Sequence, residues 1–175
     1  MRSPLLAAAL LASAVAAPAL AQTMASGTAA VSDATFVKKA AISDMFEIQA
    51  SQLAQTKATS ADVKNFASKM VTDHTKTSDQ LKSIVSAKSG MKPPTTMDAQ
   101  HKALLGKLKA ASGANFDTLY TQQQVQAHQQ AVMLFTSESQ TGKDTDLKNF
   151  ASQSLPTLQQ HLSMAQGLQK GGGTP

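Results

Sequence analysis

Apolar side chains recur along this chain at the helical spacing of three and four residues, broken at a few sharp points, and no segment alternates with the period of a strand. A first helix is predicted over Asp33–Lys57, where Phe36, Ala40, Glu47, Ala50 and Ala54 share one stripe beside Val37, Ala41, Ile48 and Leu53. Ser32 or Asp33 is placed to cap its free N–H groups. The turn at 58–60 is too short for anything but an antiparallel return. The second helix, predicted over Ala61–Ser89, has the cleanest period: Val63, Phe66, Met70, His74, Leu81, Ile84 and Val85. Gly90 stops it, and Pro93-Pro94 forces an extended crossover.

A short amphipathic helix over Asp98–Ala111 offers Leu104, Leu105 and Leu108. A third long helix over Ala114–Gln140 carries Phe116, Leu119, Val125, His128, Val132 and Phe135. The fourth, over Thr145–Gln169, carries Leu147, Phe150, Ala151, Leu158, His161, Leu162 and Ala165. Pro156 lies inside it and predicts a kink near Ser152–Leu155. The segment Asp62-Val63-Lys64-Asn65-Phe66-Ala67-Ser68 reappears as Asp146-Leu147-Lys148-Asn149-Phe150-Ala151-Ser152, with only Val against Leu differing. The second and fourth long helices are therefore equivalent halves of two hairpins. Two hairpins joined by one long crossover, with a short extra helix, give an all-α, ferritin-like four-helix bundle.

The N-terminus changes the picture from fold to compartment. Arg2, an apolar run over Leu5–Ala17, Pro18 and then Ala19-Leu20-Ala21 form a secretory signal peptide over 1–21, with cleavage expected after Ala21. The run is shorter than the ~20 residues of a membrane span. No later stretch reaches that length, so no transmembrane span is expected. Residues 22–32, small and polar, read as a disordered leader, 33–169 as the bundle domain and 170–175 as a flexible tail. The chain is expected in the periplasm or cell envelope. Absence of cysteine excludes a lipid-anchored start and leaves stability to packing alone.

Charge excludes more than it suggests. Net charge is +5, yet apart from Arg2 every cation is lysine, and the lysines are spread over all the helices. Without arginine forks and with few aromatic rings to stack bases, nucleic-acid recognition is not expected. Weak peripheral membrane contact through 98–111 and its lysines is the minor alternative to a solvated face. No cysteine, G-x-S-x-G or phosphate loop supports catalysis, so the chain does not read as an enzyme.

The residues Val63-Lys64-Asn65-Phe66-Ala67-Ser68-Lys69-Met70-Val71-Thr72-Asp73-His74, Phe116-Asp117-x-x-Tyr120, His128 and Leu155-Pro156-Thr157-Leu158-x-x-His161 together form a recognisable set. With Phe36–Glu47 they resemble the bacterial exported proteins grouped as domain of unknown function 4142, also labelled outer membrane proteins. The resemblance covers about Asp33 to Gln169 and implies a ferritin-like bundle in the cell envelope, with no activity attached. Outer-membrane spans are closed barrels, so the label is taken as a location only.

One chemical feature remains. Glutamate occurs only at Glu47 and Glu138, and Glu47 lies among apolar neighbours. His74, His128 and His161 fall within the apolar stripes of the other three long helices. From the helical rise, these four residues fit one layer, with Asp44 and Asp73 nearby as further oxygens. No cofactor is specified. The first expectation is a binding or structural envelope protein, with a protein partner in the envelope and the histidines in a hydrogen-bonded network that fixes register. The alternative is a mononuclear transition-metal site of Glu47, His74, His128 and His161, open to redox chemistry. A di-iron site fails, because Glu-x-x-His is absent: Val71, Val125 and Leu158 precede the histidines by three.

Overall fold

In the computed structural model, which describes residues 31–171, five helices follow in order: α1 (Asp33–Lys57), α2 (Ala61–Val85), α3 (Ala99–Ala110), α4 (Gly113–Thr141) and α5 (Thr145–Gly171). No strand occurs among the described residues. The signal peptide, residues 22–30 of the leader and residues 172–175 of the tail lie outside them. The expected long helices are present, with two shifted ends. α2 stops at Val85 rather than Ser89 because the chain tightens there: Ser86 N–H donates to the Ser83 carbonyl and Lys88 N–H to that of Val85. α5 continues to Gly171 and runs through Pro156 without interruption.

α1 packs chiefly on α2 and α4 chiefly on α5, so each hairpin is a unit. The buried residues sort into two apolar clusters. One joins Phe46, Ala50 and Ala54 of α1 to Phe66 and Met70 of α2, Phe116 and Tyr120 of α4 and Ala165 of α5. The other joins Phe36 and Ala40 of α1 to Leu81 and Val85 of α2, Phe135 of α4 and Leu147, Phe150 and Leu158 of α5. Read along each helix, α1 and α5 run one way and α2 and α4 the other. The crossover therefore spans the length of the bundle. α3 lies against α1 and α4 and buries Leu105 and Leu108 in the core. Met97, outside the predicted stripes, is buried with it.

The hairpins are held in register by matched carboxylates. Asp33 accepts from the N–H groups of Lys143 and Asp144, both at 2.9 Å, at the α4–α5 turn. Asp117 accepts from Thr59 and Ser60 N–H at 3.0 and 2.8 Å at the α1–α2 turn. Each hairpin thus clamps the turn of the other. Ser32 caps α1 by accepting from Thr35 N–H, which leaves Asp33 available for the clamp.

Glu138 sits near the Asp33 clamp, fully buried, with neither carboxylate oxygen hydrogen-bonded. Gly142 leaves it room, since a Cβ there would lie 2.5 Å from Glu138 Oε1. Burial, then the charges of Asp33 and Asp144, raise its pKa from 4.5 to about 7. A carboxyl whose pKa is higher in the folded state binds more protons there, so its contribution to stability falls as pH rises from 4.5 through about 7. Denaturant titration at pH 5 and pH 8 should show Glu138→Gln gaining on the wild type by on the order of 2 kcal/mol between the two. Parallel curves at both pH values would contradict the burial of this charge.

Candidate metal centre

Between the two apolar clusters lies a polar layer supplied by all four long helices. α1 contributes Asp44 and Glu47, α2 His74, α4 Gln124 and His128, and α5 His161, all of them buried. The helical period puts each on the inward face at the height where its helix passes from one cluster to the other. His74, His128 and His161 can each offer one ring nitrogen so that the three atoms lie within 4.8 Å of one another.

What orients the rings decides what they can do. His128 Nδ1 lies 2.9 Å from the Gln124 carbonyl oxygen, which can only accept, so Nδ1 carries the proton and Nε2 the lone pair. His74 Nδ1 donates to Asp44 Oδ1 at 2.8 Å. His161 Nε2 donates to Asp73 Oδ2 at 2.8 Å, and its Nδ1 is buried with no partner. Each ring therefore spends one N–H on an outer acceptor and leaves its other nitrogen to the cluster. His74 Nε2 and His128 Nε2 approach to 3.4 Å, the separation expected of two nitrogens sharing one ion at about 2.0–2.1 Å in a tetrahedral set.

Electrostatics follow the same layout. Burial pushes His128 down to about 3, helped by His74, and pushes His161 down to about 4 against its hydrogen bond to Asp73. Both are neutral imidazoles at physiological pH, as metal ligation requires. Burial opposes charge on His74 as well, but the Asp44 hydrogen bond and the carboxylates of Asp44, Glu47 and Asp73 hold its pKa above the ordinary value. In the metal-free protein a proton on His74 Nε2 then points at the His128 lone pair. Tyr120 donates no support to this layer: it pairs with Ser51 at 2.8 Å, one step deeper in the neighbouring cluster.

Glu47 differs from its expected role. It is buried, with both oxygens unpartnered and Gln124 facing it without closing a hydrogen bond, yet it does not join the three nitrogens. Burial raises its pKa from 4.5 to about 7, against the nearby His74. Asp44 and Asp73 likewise serve as acceptors from the rings in place of further oxygen ligands. Lys69 shares Asp73 Oδ2, at 2.8 Å. His101 packs its ring edge-on against Phe46 and bonds Asp98, which caps α3. Gln124 is the residue that sequence reading undervalued: its backbone carbonyl fixes a ring, which no side-chain pattern reveals.

The fold and this layer define a class, an all-α bundle with three imidazoles converging in its core. The chain belongs to the family described as "Domain of unknown function (DUF4142)", whose model matches residues 17–168. No curated protein matches it. Among solved structures it is similar to CopM in the Cu(II)-bound form, with a TM-score of 0.69 and 17% identity over 81% of this chain and 97% of that one. It is similar also to CopM in the Ag-bound form obtained by co-crystallization, with a TM-score of 0.66 at the same identity and coverage. At that identity the likeness establishes the fold. No helix among the described residues is long and apolar enough to cross a membrane.

The tautomers are testable directly. Long-range nitrogen–proton NMR of the metal-free protein at neutral pH should find His128 protonated at Nδ1 alone and His161 at Nε2 alone. A proton on His161 Nδ1 would contradict the geometry.

Proposed function

We propose that this chain is an exported cell-envelope protein that binds a single transition-metal ion, copper foremost, between His74, His128 and His161. The observation that carries the reading is the buried, unpartnered Nδ1 of His161, aligned with the two Nε2 atoms that face each other across 3.4 Å. A network whose task was only to fix register would pair its own nitrogens, since a buried polar atom without a partner costs about 1–3 kcal/mol. Here the three outer nitrogens are satisfied, His74 and His128 meet only through one long contact of 3.4 Å, and His161 Nδ1 is left over, turned inward as ligating imidazoles are held.

Neutral imidazole suits copper, zinc, iron and nickel, and the buried carboxylates of Asp44 and Glu47 offset the charge of a cation. The copper and silver forms of CopM, a protein of the same fold, favour copper as the ion to test. When bound, the ion would supply Lewis acidity or one-electron chemistry. The chain's own residues hold it: Asp44, Asp73 and the Gln124 carbonyl fix the rings, and the two apolar clusters exclude water from either side. The N-terminal sequence, read as a secretory signal peptide, supports a location outside the cytoplasm, and no motif read in the sequence points to turnover.

Elemental analysis of untagged mature protein, beginning at Gln22 and purified from the periplasm without chelators, should find about one equivalent of metal per chain. The His74→Ala, His161→Ala double variant should remain helical and lose it. No metal after reloading with copper, zinc, iron and manganese would overturn the reading and leave the histidines to a packing role.

A further inference from the structure

A site enclosed in a bundle core needs a way in, and the four seams between neighbouring helices differ. α1 with α2 and α4 with α5 are the tight hairpin seams. The α1–α4 seam is covered by α3, which touches both helices. The α2–α5 seam is the loosest of the four and, among the described residues, has no helix packed over it. Two grooves flank it. One, of about 610 Å3, is lined by Asp73, Thr77, Gln80, Asp146, Ser154 and Thr157. The other, of about 880 Å3, reaches Lys69 and Phe66 from the far side. The Lys69–Asp73–His161 chain of hydrogen bonds stands between them.

The acceptors that hold the three rings also differ. The side chains of Asp44 and His74 are 5% and 4% exposed, and Gln124 and His128 are buried. Asp73 alone reaches solvent, at 25%, while its Oδ2 holds the fully buried His161. It is both a wall of the 610 Å3 groove on one side and the support of a ligand on the other.

We propose, on the reading that the histidines bind metal, that the ion enters and leaves through the α2–α5 groove, with Asp73 as the port. A hydrated cation arriving in the groove meets the carboxylates of Asp146 and Asp73 in turn. Asp73 exchanges its hydrogen bond from Lys69 for the cation. His161 is the ligand next to it. The path crosses two side chains, Asp73 and the His161 ring whose Nδ1 faces inward, whereas an approach through any other seam must part a more tightly packed helix pair or displace α3.

The chain has one tyrosine, Tyr120, and no tryptophan, so Cu(II) uptake can be followed by quenching of its fluorescence in stopped flow, and release by transfer to EDTA. The variant Thr77→Phe, Thr157→Phe roofs the groove beside Asp73. Uptake and release should both slow by at least about tenfold, with the affinity unchanged. Asp146→Lys, at an exposed position, should slow uptake at low salt, and 0.5 M salt should erase the difference, as screening of a steering charge requires. Met133→Phe, on exposed α4 surface away from this seam, should leave both rates as they are. Wild-type kinetics in the roofed variant with copper still bound would overturn the port and leave the site standing. Failure of the wild type to bind copper would overturn the site itself, and the port with it.

Discussion

Six polar side chains sealed between two apolar clusters cannot borrow hydrogen bonds from water, so the layer has to satisfy itself or carry a cost of several kcal/mol. Asp44 and the Gln124 carbonyl meet that demand for two rings from within, and Asp73 meets it for the third from the surface. Fixing one nitrogen of each ring fixes the plane of each ring. Once the planes are set, the remaining nitrogens have nowhere to point but at one another. The cost is left in the lone pair of His161 Nδ1 and in the two oxygens of Glu47, and a bound cation is what would relieve it.

The scaffold around this layer is a duplicated hairpin, and the layer is where the duplication ends. At an offset of 84 residues the clamp Asp33 corresponds to Asp117, the turn Thr59-Ser60 to Lys143-Asp144, and the helix starts that follow are nearly identical. The same offset pairs Asp44 with His128, His74 with Leu158 and Thr77 with His161. One pair of equivalent positions thus holds a ring acceptor, Asp44, in one half and an imidazole, His128, in the other, while His74 and His161 have no polar counterpart that bonds a ring. Symmetry supplies a rigid frame with both turns clamped across the hairpins. Its local breaking gathers three imidazoles around one point, where a symmetric layer would pair them two by two.

Much of this was legible in the sequence because helical periodicity reports burial directly. The stripes through Val63, Phe66 and Met70 and through Leu147, Phe150 and Leu158 gave the inward faces, and the repeated segment gave the pairing of hairpins. Axial rise alone placed Glu47, His74, His128 and His161 at one height. Rotation was not legible: a turn of the helix by one position separates a ligand from a neighbour, which is why Glu47 lies in the layer without joining the nitrogens. Nor were the acceptors, since the bond from His128 goes to a backbone carbonyl. The end of α2 was overrun because Ser86 favours a tightened last turn that apolar spacing does not record. Proline at position 156 was compatible with an unbroken helix, as the loss of one N–H is tolerated where the surrounding packing is strong.

The central claim is that imidazole nitrogens, and not the methionines scattered through the chain, hold the ion. X-ray absorption of the copper-loaded protein separates the two, because sulfur and nitrogen neighbours differ in both distance and scattering strength. The account predicts a copper surrounded by nitrogen and oxygen alone, with the multiple-scattering signature of about three imidazoles. Sulfur in the copper environment, or no imidazole signature, would contradict it.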